Sequence, residues 1–300
     1  MLRRACLRVL CLLVLAGCAA APEFVTPQGA INQVYAVVDV QTMAAIRQSV
    51  YLAESFANLR DASRDAAAGQ DADGIYLTGQ ETTVALFSAQ NSQHAAAGQT
   101  GLGIGLDTIG ETAGVRRHYR ALTGLEPTAI ARSQLIDSLD VPWFLSTLPG
   151  GIGLNAPPEF AIWTMEYQPA YFVANKNKTA GSDPYDVSRR RYNSNRFDAS
   201  RLMRDVVAVT FDVATADAEA AIELLEAAGL AVTRTEEKLV ARNGEEIITM
   251  NLVDDNEPAG LREIVFSLNR DVAAKHSEKL GASELVVGPG RRAVWHFGTY

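Results

Sequence analysis

The chain has 300 residues, of which 35 are acidic and 27 are basic, so its formal net charge is −8. An acidic surface disfavours nucleic acid and anionic lipid as partners. The length suffices for one large domain or two small ones with cores of their own. All three cysteines lie within the first 18 residues. The rest of the chain therefore has no thiol for a disulfide, a zinc site or nucleophilic catalysis.

The N-terminus has the order of an export signal. Three arginines within the first eight residues precede an apolar run at 9–15. That run is shorter than the ~20 apolar residues that a membrane-spanning helix needs, so it predicts a signal peptide. The segment LAGC, ending at Cys18, resembles a bacterial lipobox. The resemblance implies that residues 1–17 are removed and that lipid is attached to Cys18, which anchors the protein to a membrane. The alternative is an ordinary secretory signal with a chance cysteine.

The residues after Cys18 carry information about location. Ala19 and Ala20 follow, with no aspartate beside the cysteine. In Gram-negative lipoproteins this pattern implies transfer to the outer membrane, facing the periplasm. Cleavage would leave 24 basic and 35 acidic residues, a net charge of −11. Residues 18–30, which contain prolines, are predicted to be the lipidated cysteine and a tether.

The first part of the folded chain, 31–107, is predicted to be a βαβββ unit. Gln33–Val38 is an apolar, β-branched run typical of a buried strand, and Asp39 is placed to cap a following helix. Apolar residues then recur at helical spacing as far as Arg60. Three further strands are predicted at 75–78, 82–89 and 101–106.

The same order of elements is predicted near the C-terminus, within 206–300. A strand at 206–213 precedes a helix at 216–228, which Thr215 is expected to cap and Gly229 to end. Strands follow at 231–242, 245–253 and 261–268, and Asn243-Gly244 predicts a hairpin. The tail segment 293–297 could add an edge strand.

Residues 108–205 are predicted to connect the two units. They are predicted to contain a helix at 110–122 and additional strands, with apolar segments at 141–148 and 160–167. An irregular stretch is expected from there to about residue 200.

Two βαβββ units in one chain resemble the vicinal oxygen chelate, or glyoxalase-like, superfamily. The resemblance implies an α+β fold in which the paired units form a cupped sheet around a ligand site, with the irregular insert between them. More narrowly, the chain resembles the glyoxalase-related DUF5829 family, whose function is unknown. The segments that carry this likeness are INQVYAVVDVQTMAAIRQS, IYLTG, VPWFL, WTMEY and GLREIVFSL.

Metal enzymes of that superfamily place a His or Gln on the first strand of each unit and a Glu on the last. Gln33 is at this position on the first strand of the first unit, but Val206 or Ala208 occupies the corresponding position on the first strand of the second unit. The strand GLGIGLD offers no Glu, and Glu263 lies near the remaining position. Since two of four ligands remain at best, we expect no metal and no other cofactor. Gln33 is instead expected to line a cavity, and we expect it, rather than Tyr35, to face inward.

Other candidate ligand-binding residues lie between the two units. Trp163, Glu166 and Tyr167 could form a polar and aromatic pocket, unless Trp163 is core and Glu166 is solvated. Arg190 lies in the basic run 188–192, which could hold a carboxylate or phosphate, unless it is a surface run balancing nearby acids. The four histidines do not cluster, and His296 is predicted to face away from its aromatic neighbours.

These observations favour a membrane-anchored lipoprotein that binds a small molecule or a protein partner without a metal. One alternative is a metal-dependent lyase, isomerase or dioxygenase of the same superfamily, which the missing ligands disfavour. The other is a structural envelope protein whose cup is filled. The sequence does not distinguish this last alternative from the favoured one, and it leaves the identity of a protein partner unknown.

Overall fold

The structure is a computed structural model that describes residues 25–64, 74–89, 96–150, 159–175, 183, 185–254 and 257–299. Cys18, the predicted signal peptide and most of the tether lie outside these residues. Within the described ranges, none of the helices is both long enough and apolar enough to cross a membrane. The described chain forms two eight-stranded sheets and five α-helices.

The first sheet has the strand order β2-β3-β4-β1-β5-β8-β7-β6. Its strands are β1 (Ala30–Val38), β2 (Asn58–Asp61), β3 (Ile75–Thr78), β4 (Thr83–Ser88), β5 (Thr100–Leu106), β6 (Thr128–Ile136), β7 (Leu139–Leu148) and β8 (Phe160–Tyr167). Helix α1 (Val40–Gln48) follows β1, and helix α2 (Glu111–Thr123) follows β5. The sheet therefore contains two βαβββ units. In each, the first and last strands pair in parallel, and β1 and β5 join the units in antiparallel fashion.

The second sheet repeats this order as β10-β11-β12-β9-β13-β16-β15-β14. Its strands are β9 (Met203–Ala214), β10 (Ala231–Arg234), β11 (Lys238–Asn243), β12 (Glu246–Val253), β13 (Gly260–Val272), β14 (His276–Leu280), β15 (Ser283–Val287) and β16 (Gly290–His296). Helix α3 (Pro169–Ala174) and helix α4 (Arg189–Asn193) connect the sheets, and α5 (Thr215–Ala227) follows β9. No helix separates β13 from β14, and β16 consequently runs antiparallel to β13.

The α+β class and the repeat of the β1–β4 arrangement in β9–β12 are confirmed. The grouping of strands differs from the expected one. Residues 101–106 do not close the first unit but open the second, because β5 pairs with β8. Likewise β13 opens a fourth unit instead of closing the third. The segment 108–205, expected to connect the two units with a helix and additional strands, supplies α2 and three strands of the first sheet.

The local differences have simple physical causes. Strands β2, β6 and β14 lie at sheet edges and have at most one buried residue each, so they lack the apolar alternation by which a strand is recognised. The segment expected to be one strand at 231–242 turns at 235–237 and forms β10 and β11. Thr215 does not cap α5; it is the first residue of that helix, after Ala214.

Several local signals act as the sequence predicts. Asp39 caps α1, because its carboxylate accepts hydrogen bonds from the backbone N–H groups of Gln41 (2.8 Å) and Thr42 (2.9 Å). Gly229 follows α5 with a φ of +90°, as expected for a helix stop. The β11–β12 hairpin turns immediately after Asn243, where Gly244 has a φ of +57°.

One continuous apolar core joins the two sheets. Helices α2 and α5 contact each other, and α5 also packs on β8 of the first sheet. Phe160 and Phe211, from different sheets, lie with ring centroids 5.0 Å apart, and Phe56 meets Phe266 at 5.3 Å. Helices α1, α2 and α5 and this core occupy one face of the first sheet, which leaves its other face free to form a cup.

Candidate functional site

The first sheet curls around a cavity of about 710 Å³, which we call the cup. This volume lies in the range of small-molecule sites. Strands from both units and the segment around α4 contribute to its lining. Eight of the lining side chains are aromatic: Tyr35, Tyr76, Phe87, Trp143, Phe144, Trp163, Tyr167 and Tyr192. The cup therefore presents mainly ring faces and edges to whatever enters it.

The floor of the cup depends on two glycines of β5. A Cβ on Gly101 would lie 2.4 Å from the Tyr35 ring, and one on Gly103 would lie 3.1 Å from the Trp163 indole. The glycines thus leave room for the two rings, whose centroids are 5.9 Å apart. Close packing against these rings explains why glycine occupies both positions.

One end of the cup is closed by α4 and the turn after it. The Tyr192 ring stacks on Tyr167 of β8, with centroids 4.0 Å apart and planes 11° apart. Four residues later, the carbonyl of Arg196 accepts a hydrogen bond from the Asn58 side chain at the β2 edge. The segment therefore reaches from the β8 side of the sheet to its opposite edge.

A β-bulge brings two consecutive aromatic residues into the lining. Arg132 of β6 pairs with Phe144, whereas the next residue, Ser133, pairs with Pro142, so Trp143 is the extra residue of β7. Side chains normally alternate between faces, but a bulge interrupts that alternation. Sequence reasoning missed Trp143 and Phe144 as lining residues because a bulge depends on pairing with a partner strand.

Three of the candidate residues from the sequence line the cup: Gln33, Trp163 and Tyr167. The expectation that only one of Gln33 and Tyr35 faces inward is wrong. The two residues are two positions apart, so they share one face of β1, and both line the cup. Whether any of them binds a ligand stays a prediction.

Glu166 lies on the opposite face of β8 and is 3% exposed. Its carboxylate accepts hydrogen bonds from the backbone N–H groups of Gly110 (3.0 Å) and Thr112 (2.7 Å). These groups are at the start of α2, where a negative charge is favourable. Glu166 therefore stabilises a helix end and is neither in the cup nor solvated.

The three arginines of the basic run lie in different environments. Arg190 points outward and lies 3.8 Å from Glu81. Arg189 is 5% exposed and Arg191 is 4% exposed. Arg191 donates from Nη1 to the carbonyls of Asp183 (2.7 Å) and Asp186 (2.5 Å). Both buried guanidinium groups thus have protein partners.

Arg189 ties the two sheets together. Its Nη2 lies 3.1 Å from Asp107 after β5, and its Nη1 lies 3.7 Å from Glu246 of the second sheet. It also donates to the carbonyl of Ile31 in β1. Because its partners come from distant parts of the chain, its burial cannot be read from the sequence pattern.

Glu263 lies on the second sheet, outside the cup, opposite His296 of β16. The His296 Nδ1 and a Glu263 carboxylate oxygen are 3.3 Å apart. His296 is exposed, whereas Trp295 and Phe297 on either side are buried, as the alternation predicted. The pair does not reach the residues that line the cup.

The residues present do not fit the divalent metal that the superfamily resemblance implies. The described lining contains no His, Cys, Asp or Glu. Across the described part of the chain, no group of three such residues is placed to hold a metal ion. Glycine and the rings of Tyr35 and Trp163 occupy the strands that would carry ligands. We therefore derive no step through a metal.

The phenol groups of Tyr35, Tyr167 and Tyr192 keep their protons. Burial raises the pKa of Tyr35 to about 12. Burial also raises the pKa of Tyr167 and that of Tyr192. The Asn32 amide, 3% exposed, donates to the Met165 sulfur (3.1 Å) and the Tyr167 oxygen (3.3 Å). This arrangement suits binding by shape, ring contact and hydrogen bonds, and the described lining has no group suited to abstracting a proton.

Comparison with solved structures found distant matches. A hypothetical protein from Staphylococcus aureus is 6% identical, with a TM-score of 0.42, covering 83% of this chain and 95% of that chain. A mutant of 4-hydroxymandelate synthase from Streptomyces coelicolor is 14% identical, with a TM-score of 0.35, covering 79% and 70%. A xylose isomerase-like TIM barrel/4-hydroxyphenylpyruvate dioxygenase fusion protein is 10% identical, with a TM-score of 0.42, covering 82% and 38%.

No curated protein matched the chain. The family model of DUF5829, described as a family of unknown function, matches residues 31–297. That match spans both sheets, from β1 to the residue after β16. The chain therefore belongs to the DUF5829 family.

Proposed function

We propose that this protein is a lipid-anchored envelope protein that binds a small organic molecule in the cup of its first sheet, without a metal. The single observation that carries the proposal is the aromatic cavity of about 710 Å³ over the Tyr35–Trp163 floor. In a structural protein with a filled cup, side chains would occupy this space. Protein interiors are normally packed with few voids larger than a water molecule.

The floor also favours a binding role over a purely structural one. The two glycines cost backbone entropy in a strand, and they give the Tyr35 and Trp163 rings a place against the sheet. Rings held in this way offer a ligand a rigid apolar surface, with little ordering required on binding. Ser146 and Gln33 add polar groups around that surface.

Trp163→Ala is expected to weaken binding of an aromatic probe, 2-naphthamide, about tenfold, since aromatic contacts contribute about 0.5–1.5 kcal/mol beyond area burial. A second variant, Ser146→Phe, fills the cup without removing a floor residue and should weaken binding as well. The measurement is isothermal titration calorimetry on the full chain in detergent, with and without EDTA, after subtraction of heats into empty micelles.

The control for this experiment is Tyr185→Ala, which removes an aromatic ring that is 73% exposed and outside the cup. It should bind the probe as wild type does. Binding by wild type that vanishes in EDTA would contradict the metal-free part of the proposal. Absence of probe binding, or equal binding by wild type and both cup variants, would contradict the proposed function.

The membrane anchor is supported by the LAGC segment at Cys18 and by the arginines before it. We expect Cys18→Ala to abolish incorporation of radiolabelled palmitate when the full chain is expressed in a Gram-negative host. Cys11→Ala, which changes a cysteine of the apolar run, should retain the label. Label in the Cys18→Ala protein would overturn lipidation at this residue.

A further inference from the structure

We propose that the ligand of the cup is an aromatic carboxylate and that Arg132 and Arg196 are the residues that select its negative charge. This inference rests on the proposed function of the cup and adds the chemical class of the ligand. It is carried by the charges around the cup, which differ in sign from those of the chain as a whole.

The described lining of the cup contains three arginines, Arg60, Arg132 and Arg196, and no acidic residue. The whole chain, in contrast, has 35 acidic and 27 basic residues. A concave site lined by one sign of charge concentrates ligands of the opposite sign. An anion that is repelled by the acidic surface is therefore attracted once it reaches this opening.

Arg132 and Arg196 approach the cup from different sides. Arg132 belongs to β6 at one edge of the sheet, and Arg196 is held near β2, at the other edge, through its carbonyl and Asn58. The Arg196 guanidinium carbon lies 5.9 Å from the Tyr192 ring centroid. Within the described ranges, neither guanidinium forms an ion pair, unlike Arg189, which is surrounded by carboxylates.

Arg60 is different, because its guanidinium lies 4.5 Å from the Tyr76 ring centroid and has further interactions. We therefore assign charge selection to the other two arginines. Each guanidinium presents five N–H donors, and its geometry matches that of a carboxylate. Such charge-assisted hydrogen bonds are roughly twice as strong as those between neutral groups.

The aromatic floor specifies the remainder of the ligand. A planar ring can lie against Trp163 and Tyr35 while an attached carboxylate reaches the arginines at the margin of the cup. A purely polar anion would make no apolar contact with the rings of the floor. A neutral aromatic molecule would offer no negative charge to the guanidinium groups of Arg132 and Arg196.

The experiment compares 2-naphthoate with 2-naphthamide, which share a ring system and differ in charge. We expect wild type to bind the carboxylate at least about tenfold more tightly than the amide. The double variant Arg132→Gln/Arg196→Gln should lose about tenfold in affinity for the carboxylate and keep its affinity for the amide. Calorimetry on the full chain in detergent measures all four affinities.

Arg234→Gln/Arg242→Gln is the matched control, because it removes two exposed arginines from β10 and β11 of the second sheet, outside the cup. It should leave both affinities unchanged, which separates the local effect from the change in net charge. Equal binding of the two probes by wild type, or an unchanged preference in the double variant, would overturn the charge assignment and leave the proposed function standing. Failure of wild type to bind either probe would overturn both.

Discussion

Replacement of Arg189 by methionine is expected to lower the free energy of unfolding by about 1–3 kcal/mol, the usual cost of leaving a buried polar group without its hydrogen-bond partner. The substitution removes the guanidinium that binds Asp107 and lies near Glu81 and Glu246. It also removes the donor to the Ile31 carbonyl. Urea denaturation of the full chain, followed by circular dichroism, measures the change.

Arg190→Met is the matched control, since it changes the next residue of the same short helix. The Arg190 side chain is 60% exposed and lies 3.8 Å from Glu81. Exposed pairs of this kind contribute roughly 0–1 kcal/mol, so the control should be close to wild type. Similar losses in the two variants would contradict the assignment of Arg189 as the tie between the sheets.

Glu246→Gln is expected to change how stability depends on pH. Burial raises the pKa of the Glu246 carboxyl to about 7, and this outweighs the lowering effects of Arg189 and the Ile31 N–H. Because the Glu246 pKa is higher in the folded protein than in the unfolded chain, protonation of Glu246 stabilises the folded protein. This stabilisation is complete at pH values below the pKa that Glu246 has in the unfolded chain. It is lost as the pH rises through about 7.

The glutamine variant cannot ionise, so it should lose less stability than wild type between pH 5 and pH 8. The upper bound is about 3 kcal/mol, because each pKa unit corresponds to about 1.4 kcal/mol. Burial also raises the pKa of Asp205, so some pH dependence should remain. Glu245→Gln, at the exposed neighbouring position, is the control. The measurement is urea denaturation at pH 5 and at pH 8. Equal changes in the free energy of unfolding for Glu246→Gln and wild type would refute this prediction.

Much of the local structure follows from short-range chemistry that the sequence displays. Asp39 satisfies free N–H groups at the start of α1, and the residues around Gly244 form the hairpin between β11 and β12. The apolar runs that became β1 and β8 were also recognised. These signals act between residues close together in the chain, so they can be read without knowing the fold.

The number of units could not be read in the same way. A strand that follows three others closes one unit or opens the next, and only its partner decides which. Strand β5 opens a unit because it pairs with β8, which begins more than 50 residues later. The candidate site has the same limitation. Trp143 lines the cup because of a bulge in β7. Arg196 is held beside the cup because its carbonyl accepts a hydrogen bond from the Asn58 side chain.

The sequence also did not indicate which of the charged side chains are buried. Arg189, Arg190 and Arg191 are identical in type and adjacent, yet only the middle one is exposed. Their different environments depend on acidic residues and carbonyls that lie elsewhere in the chain. Glu166 likewise found its partners at the start of α2, which faces away from the cup.

The most direct test of the central claim, that the cup binds an organic anion, is a crystal structure of the protein with 2-naphthoate. The account predicts the naphthalene ring against Trp163 and Tyr35, with the carboxylate about 3 Å from a guanidinium nitrogen of Arg132 or Arg196. A cup that stays free of probe at saturating concentration, or a probe bound only elsewhere on the protein, would contradict it.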